Sequence, residues 1–296
     1  MDQTKTELTC PDGVRLTGHW WRETGEMPRA SVIINPATGV QARYYHRYAA
    51  FLVAHGFAVL TYDYRGIGLS RPKSLKGSTF TWRQWGEQDF HAALCHALDE
   101  DRSKRVLVVG HSIGGFLPGY SPLISKVSAM LSVGGQYGYW GDYALGQRLP
   151  LALKWHVAMP VLTAVAGHFP GKRLGWLEDL PKGVAFGWGL QQARAEQGLD
   201  RDKAQAMHAN FAAATCPVLS VTMTDDPFAT PKAINRAMGY YRNAPVTKVL
   251  LEPQDLAHAR VGHFDLFHAR HESGFWQSTL EFLREGRNPW PERVYT

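Results

Sequence analysis

Hydrophobic residues fall along this chain in short runs, each stopped by Gly, Asp, Asn or Pro. The runs are "ASVIINP" (30–36), "FAVLTYDYRG" (57–66), "RVLVVG" (105–110), "VSAMLSVGG" (127–135), "CPVLSVTMTDD" (216–226) and "VTKVLLEPQD" (246–255). Continuous apolar runs of this length predict strands buried on both faces, as in a parallel sheet covered by helices. Between them the period changes to that of a helix. "YYHRYAAFLVAHG" puts Tyr44, Tyr48, Phe51 and Leu52 on one stripe and stops at Gly56, and "WRQWGEQDFHAALCHALDED" carries Trp85, Phe90, Leu94 and Leu98. Alternating strands and helices predict an α/β architecture.

Two regions depart from this rhythm. At the front, "TELTCPDGVRLTGHWWRE" alternates apolar and polar residues about the turn "PDG", which predicts an antiparallel hairpin ahead of the parallel sheet. From Gln136 to Thr215 no buried strand is discernible. Trp140, Trp155, Trp176 and Trp188 occur there among apolar helical pieces such as "LPLALKWHVAMPVLTAVAG". The pattern predicts a helical cap over 136–215, inserted after the sixth strand, with residues 1–135 and 216–296 forming the core.

Composition narrows the class. The chain has 296 residues, 45% of them hydrophobic, and resembles an ordinary globular protein. Its formal charge of +6 is spread along the sequence without a basic run, which argues against nucleic-acid binding. Cys10, Cys95 and Cys216 are an odd number at long spacings, fitting a reducing compartment and neither a disulfide framework nor a zinc site. Cys95 sits in a helical stripe and reads as buried. The N-terminus lacks the regions of a signal peptide, and the longest apolar runs are broken by Lys, His or Gly, so no membrane span is expected and the expected location is the cytoplasm. Nothing in the sequence sets the oligomeric state.

The candidate chemistry centres on "GHSIG" (110–114), which follows a predicted strand. A G-x-S-x-G elbow needs this context: the turn is so sharp that only small residues at Gly110 and Gly114 let neighbouring backbone approach. Such a turn lifts the Ser112 hydroxyl above the sheet and aims the Ile113 amide at a developing oxyanion. A nucleophilic serine also needs a base and an acid. "TMTDDPFATP" offers Asp226 and the adjacent Asp225, either of which could alternatively cap the helix beginning near Pro231. "RVGHFDLF" offers His263 in a glycine-adjacent loop, with His258 as the alternative. His268 and His271 precede polar, helix-like sequence and read as surface residues. The histidine spacings match no compact metal-ligand motif, and "RGIGLS" lacks the spacing of a phosphate-binding loop, so neither metal nor cofactor is expected.

These motifs together resemble the α/β-hydrolase superfamily across nearly the whole chain. "DYRGIGLS" (63–70) is similar to the segment after that superfamily's fourth strand, and "INPATG" (34–39) stands where its oxyanion loop follows the third. The resemblance implies a mostly parallel sheet flanked by helices and a triad in the order Ser112, Asp226, His263. It also implies that Asp63 and Arg65 brace the surrounding loops. For the oxyanion hole it implies the amides of Ile113 and Thr38, with Ala37 next in line, because Pro36-Ala37 replaces the usual His-Gly. The implied activity is that of a serine hydrolase acting on carboxylic esters or thioesters with an apolar acyl or aromatic group, so the expected partner is a small acyl substrate. Acyl transfer through the same acyl-enzyme, or ligand binding without catalysis on the same scaffold, are the alternatives. Some of the four cap tryptophans are expected to face that substrate.

Overall fold

Strands β1 (Asp2–Thr9), β2 (Arg15–Arg22), β3 (Ser31–Asn35), β4 (Ala58–Tyr62), β5 (Val106–His111), β6 (Val127–Val133), β7 (Val218–Met223) and β8 (Val246–Leu251) form one sheet. The computed structural model describes every residue except 101, 102 and 104; Asp101, the last residue of the helical segment quoted above, thus lies outside the described residues. The strand order is β1-β2-β4-β3-β5-β6-β7-β8. β1 and β2 pair antiparallel, β2 joins β4 antiparallel, and every pairing from β4 onward is parallel.

The apolar runs dictate this layering. All residues of β3, β4, β5 and β7 are buried, because alternate side chains enter two hydrophobic clusters on opposite faces. Ile33, Leu60 and Val108 face one cluster, and Val32, Val59 and Val109 face the other. Each such side chain contributes about 1.5–3 kcal/mol of burial free energy. The helix His46–Ala54 buries Tyr48, Phe51 and Leu52 against the second cluster, as its stripe predicts.

The loop after β4 is tied down by charge. Asp63 accepts the amides of Ala42 (2.7 Å) and Leu69 (2.8 Å), which fixes the loop after β3 to the loop after β4. Arg65 is fully buried and bonds Asp89 and Asp12, both at 2.5 Å, so the hairpin turn is anchored to the sheet. Cys10, Cys95 and Cys216 are all free. Cys10 and Cys216 are buried, whereas Cys95 is half-buried beside His91, a correction of the sequence reading.

Between β6 and β7 the described residues form no strand, only an isolated bridge between Phe169 and Leu180. The main helical pieces there include Met159–Ala166, Lys182–Gly189 and Arg201–Ala213. One continuous run, Leu145–Ala166, is long and apolar enough by length and composition to cross a membrane. Gly146, Lys154 and His156 fall within it, as expected from the sequence. Lys154 and His156 are accommodated at its sides, Lys154 over the rings of Trp155 and Trp176 and His156 through bonds to Gly189 and Tyr143.

Candidate active site

β5 ends at His111 and the chain turns at once into the single helical turn Ser112–Gly115. Ser112 has φ +54°, a left-handed conformation that non-glycine residues adopt only where surroundings impose it. The surroundings here are backbone. A Cβ on Gly110 would collide with the Gly114 carbonyl, and one on Gly114 would collide with the Asn35 and Pro36 carbonyls. The two glycines therefore let β5, the elbow and the end of β3 touch.

Ser112 lines a cavity together with His263, Thr38 and Ile113. The Ser112 Oγ accepts a hydrogen bond from Gln136 Nε2 at 3.3 Å, while Gln136 Oε1 accepts the Gly138 amide. His263 Nδ1 lies 2.6 Å from Asp226 Oδ2. The second Asp226 oxygen accepts the amides of Phe228 (2.8 Å) and Ala229 (2.9 Å). Burial alone would raise the Asp226 pKa. The His263 imidazole and these amides outweigh it and hold the carboxyl below its ordinary value.

The two aspartates are thus assigned different tasks by position. Asp225 accepts the amides of Val261 and Gly262, each at 2.9 Å, and so braces the loop that carries His263. Neither caps the following helix, because the Thr230 hydroxyl does so through the Ala233 amide. His258 stands away from the cavity, with its ring 4.6 Å from that of His271. His268 is exposed as expected, but His271 is buried, a correction: its Nε2 lies 2.6 Å from Asp265 Oδ2, forming a second imidazole–carboxylate pair. The carboxylate compensates the buried ring, which the polar neighbouring sequence does not reveal.

The loop after β3 separates the two donor candidates. The Ala37 amide donates to the Tyr45 hydroxyl at 2.9 Å and is consumed inside the protein. Among the described residues the Thr38 amide has no intramolecular partner, and Thr38 lies on the cavity wall with Ile113.

Tyr45 and His111, to which the sequence assigns no role, join the loop after β3, the elbow and the loop that carries His263. His111 Nε2 is 2.9 Å from the His263 carbonyl, and Nδ1 is 2.7 Å from the Tyr45 hydroxyl. Burial, reinforced by nearby His263, pushes the His111 pKa down to about 3, so the ring is neutral. A carbonyl only accepts, so Nε2 carries the proton and Nδ1 is bare; Tyr45 then donates to it while accepting from Ala37. The signal available in the sequence was the histidine within "GHSIG", whose partners lie 66 and 152 residues away.

The rest of the wall is aromatic. Trp155, Trp176 and Trp188 line the cavity, as do Trp82, Tyr137 and Phe228. Trp155 stacks on Trp188 at 4.6 Å and meets Trp176 edge-on at 5.6 Å. Trp140 stands outside, 45% exposed. Among the described residues no group of three or more His, Cys, Asp and Glu could hold a metal ion.

Residues 32–273 match the sequence profile of the alpha/beta hydrolase family, and the chain belongs to that family. No curated protein matches it in sequence. Several solved structures share its fold at low identity. DcsB, solved in complex with a substrate analogue, superposes with a TM-score of 0.64 at 18% identity, covering 97% of this chain and 100% of that one. The alpha/beta hydrolase GrgF from Penicillium sp. sh18 gives 0.63 at 18% identity, covering 96% and 98%. The Pyrococcus furiosus esterase Pf2001 gives 0.60 at 16% identity, covering 96% and 91%.

Proposed function

We propose that this protein is a serine hydrolase that cleaves carboxylic esters or thioesters bearing an apolar acyl or aromatic group. The observation that carries the reading is the placement of Ser112 and His263 on one cavity wall, with Asp226 bonded to Nδ1 of the imidazole. In this reading His263 takes the Ser112 proton through Nε2 as Oγ attacks the carbonyl carbon. Asp226 holds the tautomer and stabilises the imidazolium. The amides of Thr38 and Ile113 receive the oxyanion. His263 then returns the proton to the leaving alcohol or thiol, and water, deprotonated by the same imidazole, releases the acid. Residues 136–215 act as the cap, in which Trp155, Trp176 and Trp188 exclude water and receive the acyl group. The esterase description of one similar fold agrees with this reading.

The test is hydrolysis of p-nitrophenyl esters of graded chain length by wild type, Ser112→Ala, His263→Ala and His258→Ala, with fluorophosphonate labelling in parallel. Turnover and labelling that vanish in the first two variants and persist in the third support the assignment. A wild type that neither turns over nor labels would overturn it in favour of a ligand-binding role. Labelling without turnover would keep the nucleophile and reject the substrate class.

A further inference from the structure

The helical run Leu145–Ala166 has two unlike faces. Inward, Trp155, Met159 and Thr163 are buried, and Trp155 reaches the cavity. Outward, Leu145, Leu149, Leu153, Val157, Val161 and Val165 recur at every fourth position, each more than half exposed, from Val157 at 52% to Val165 at 85%. A four-residue step advances about 40° round an ideal α-helix. The wider turn over Leu153–Ala158, a π-helical segment, takes back part of that drift and keeps the row on the outside. Six large aliphatic side chains in one unbroken outward row are more than the scattered exposure ordinary surfaces show.

Along the chain that carries this row the charges are basic, with Lys172 paired to Glu178 just beyond it at 2.9 Å. From residue 143 to 177 the chain contains Arg148, Lys154, Lys172 and Arg173 and no Asp or Glu. Lys76, from the loop after β4, packs beside Gly167 at the end of the run. We propose that this face rests on the surface of an anionic lipid bilayer, with the helix parallel to the membrane and the Leu and Val row among the acyl chains. The inward face belongs to the protein core, so the helix lies on the membrane and does not cross it. Pairing of the row with a second copy would bring cations against cations, whereas anionic headgroups supply the opposite charge. The attachment is independent of any chemistry at Ser112.

Co-sedimentation with phosphatidylcholine vesicles, with and without phosphatidylglycerol, tests this on the full chain. Wild type is expected to bind the phosphatidylglycerol vesicles and to release at high salt. The double variant Leu149→Glu/Val157→Glu is expected to bind at least about tenfold more weakly, since losing one buried aliphatic contact already costs about that factor. Circular dichroism confirms that the variant is folded, as both positions are exposed. Sedimentation equilibrium without lipid supplies the second readout. A wild type that ignores vesicles but dimerises, and a double variant that is monomeric, would assign the row to a second copy and overturn the proposal. Equal vesicle binding by wild type and double variant would overturn it too, as would no binding by either.

Discussion

The hydroxyl of Tyr45 donates to Nδ1 of His111 across 2.7 Å while accepting the Ala37 amide, so one oxygen joins the loop before Thr38 to the residue before Ser112. His111 extends the connection to the His263 carbonyl. Three segments distant in sequence are held at one spacing by two buried side chains.

Tyr45→Phe keeps the ring and deletes that oxygen, leaving the Ala37 amide and His111 Nδ1 buried without a partner. We expect a loss of about 1–3 kcal/mol in urea unfolding. Ester turnover should fall chiefly in kcat, because the variant displaces groups that act on the transition state. Wild-type stability together with wild-type kcat would rule out the relay.

His111 also sets a pH dependence. Its folded pKa is held at about 3, against about 6.5 for an unfolded histidine, so between these values the unfolded chain binds the extra proton. Stability therefore rises with pH across the window. The contribution is complete above about pH 6.5 and is lost progressively as pH falls, on the order of 3 kcal/mol by about pH 4. Urea unfolding of wild type and His111→Gln across that range should give a shallower slope for the variant; parallel curves would place the titration elsewhere.

The adjacent aspartates should separate in kinetics. Asp226→Asn removes the carboxylate facing Nδ1 and is expected to lower kcat by roughly 10³–10⁴, the cost of the wrong tautomer. Asp225→Asn retains an acceptor for one of the two loop amides and should cost about tenfold or less. A larger loss at Asp225 than at Asp226 would reverse the two roles.

Gly114→Ala should lower stability by about 1–3 kcal/mol or more, because the new methyl meets backbone carbonyls that cannot rotate away. Gly146→Ala, where nothing lies within 4 Å, is the control and should shift the melting temperature little. Similar melting of the two variants would mean the elbow has room.

The sheet was legible because its strands are apolar on both faces and its turns are marked by Gly, Pro and Asp; each of the six apolar runs contains a strand. "GHSIG" was legible because the elbow's steric demands are local. Only the resemblance favoured Asp226 over Asp225, since both sit in one turn and only the distant loops they face distinguish them. His271 was misread for the same reason: its carboxylate partner Asp265 makes a buried ring tolerable within polar sequence. Tyr45 and His111 carry no local signature because their bonds close across the fold.

Three indoles, those of Trp155, Trp176 and Trp188, share one wall within 4.6–5.6 Å ring spacings. Rings this close exchange excitation energy, and their emission responds to the polarity of whatever lies against them. The protein thus carries an optical gauge of its own cavity: a molecule entering beside these rings changes the ultraviolet emission without any dye, and occupancy can be followed in solution before a single bond is broken.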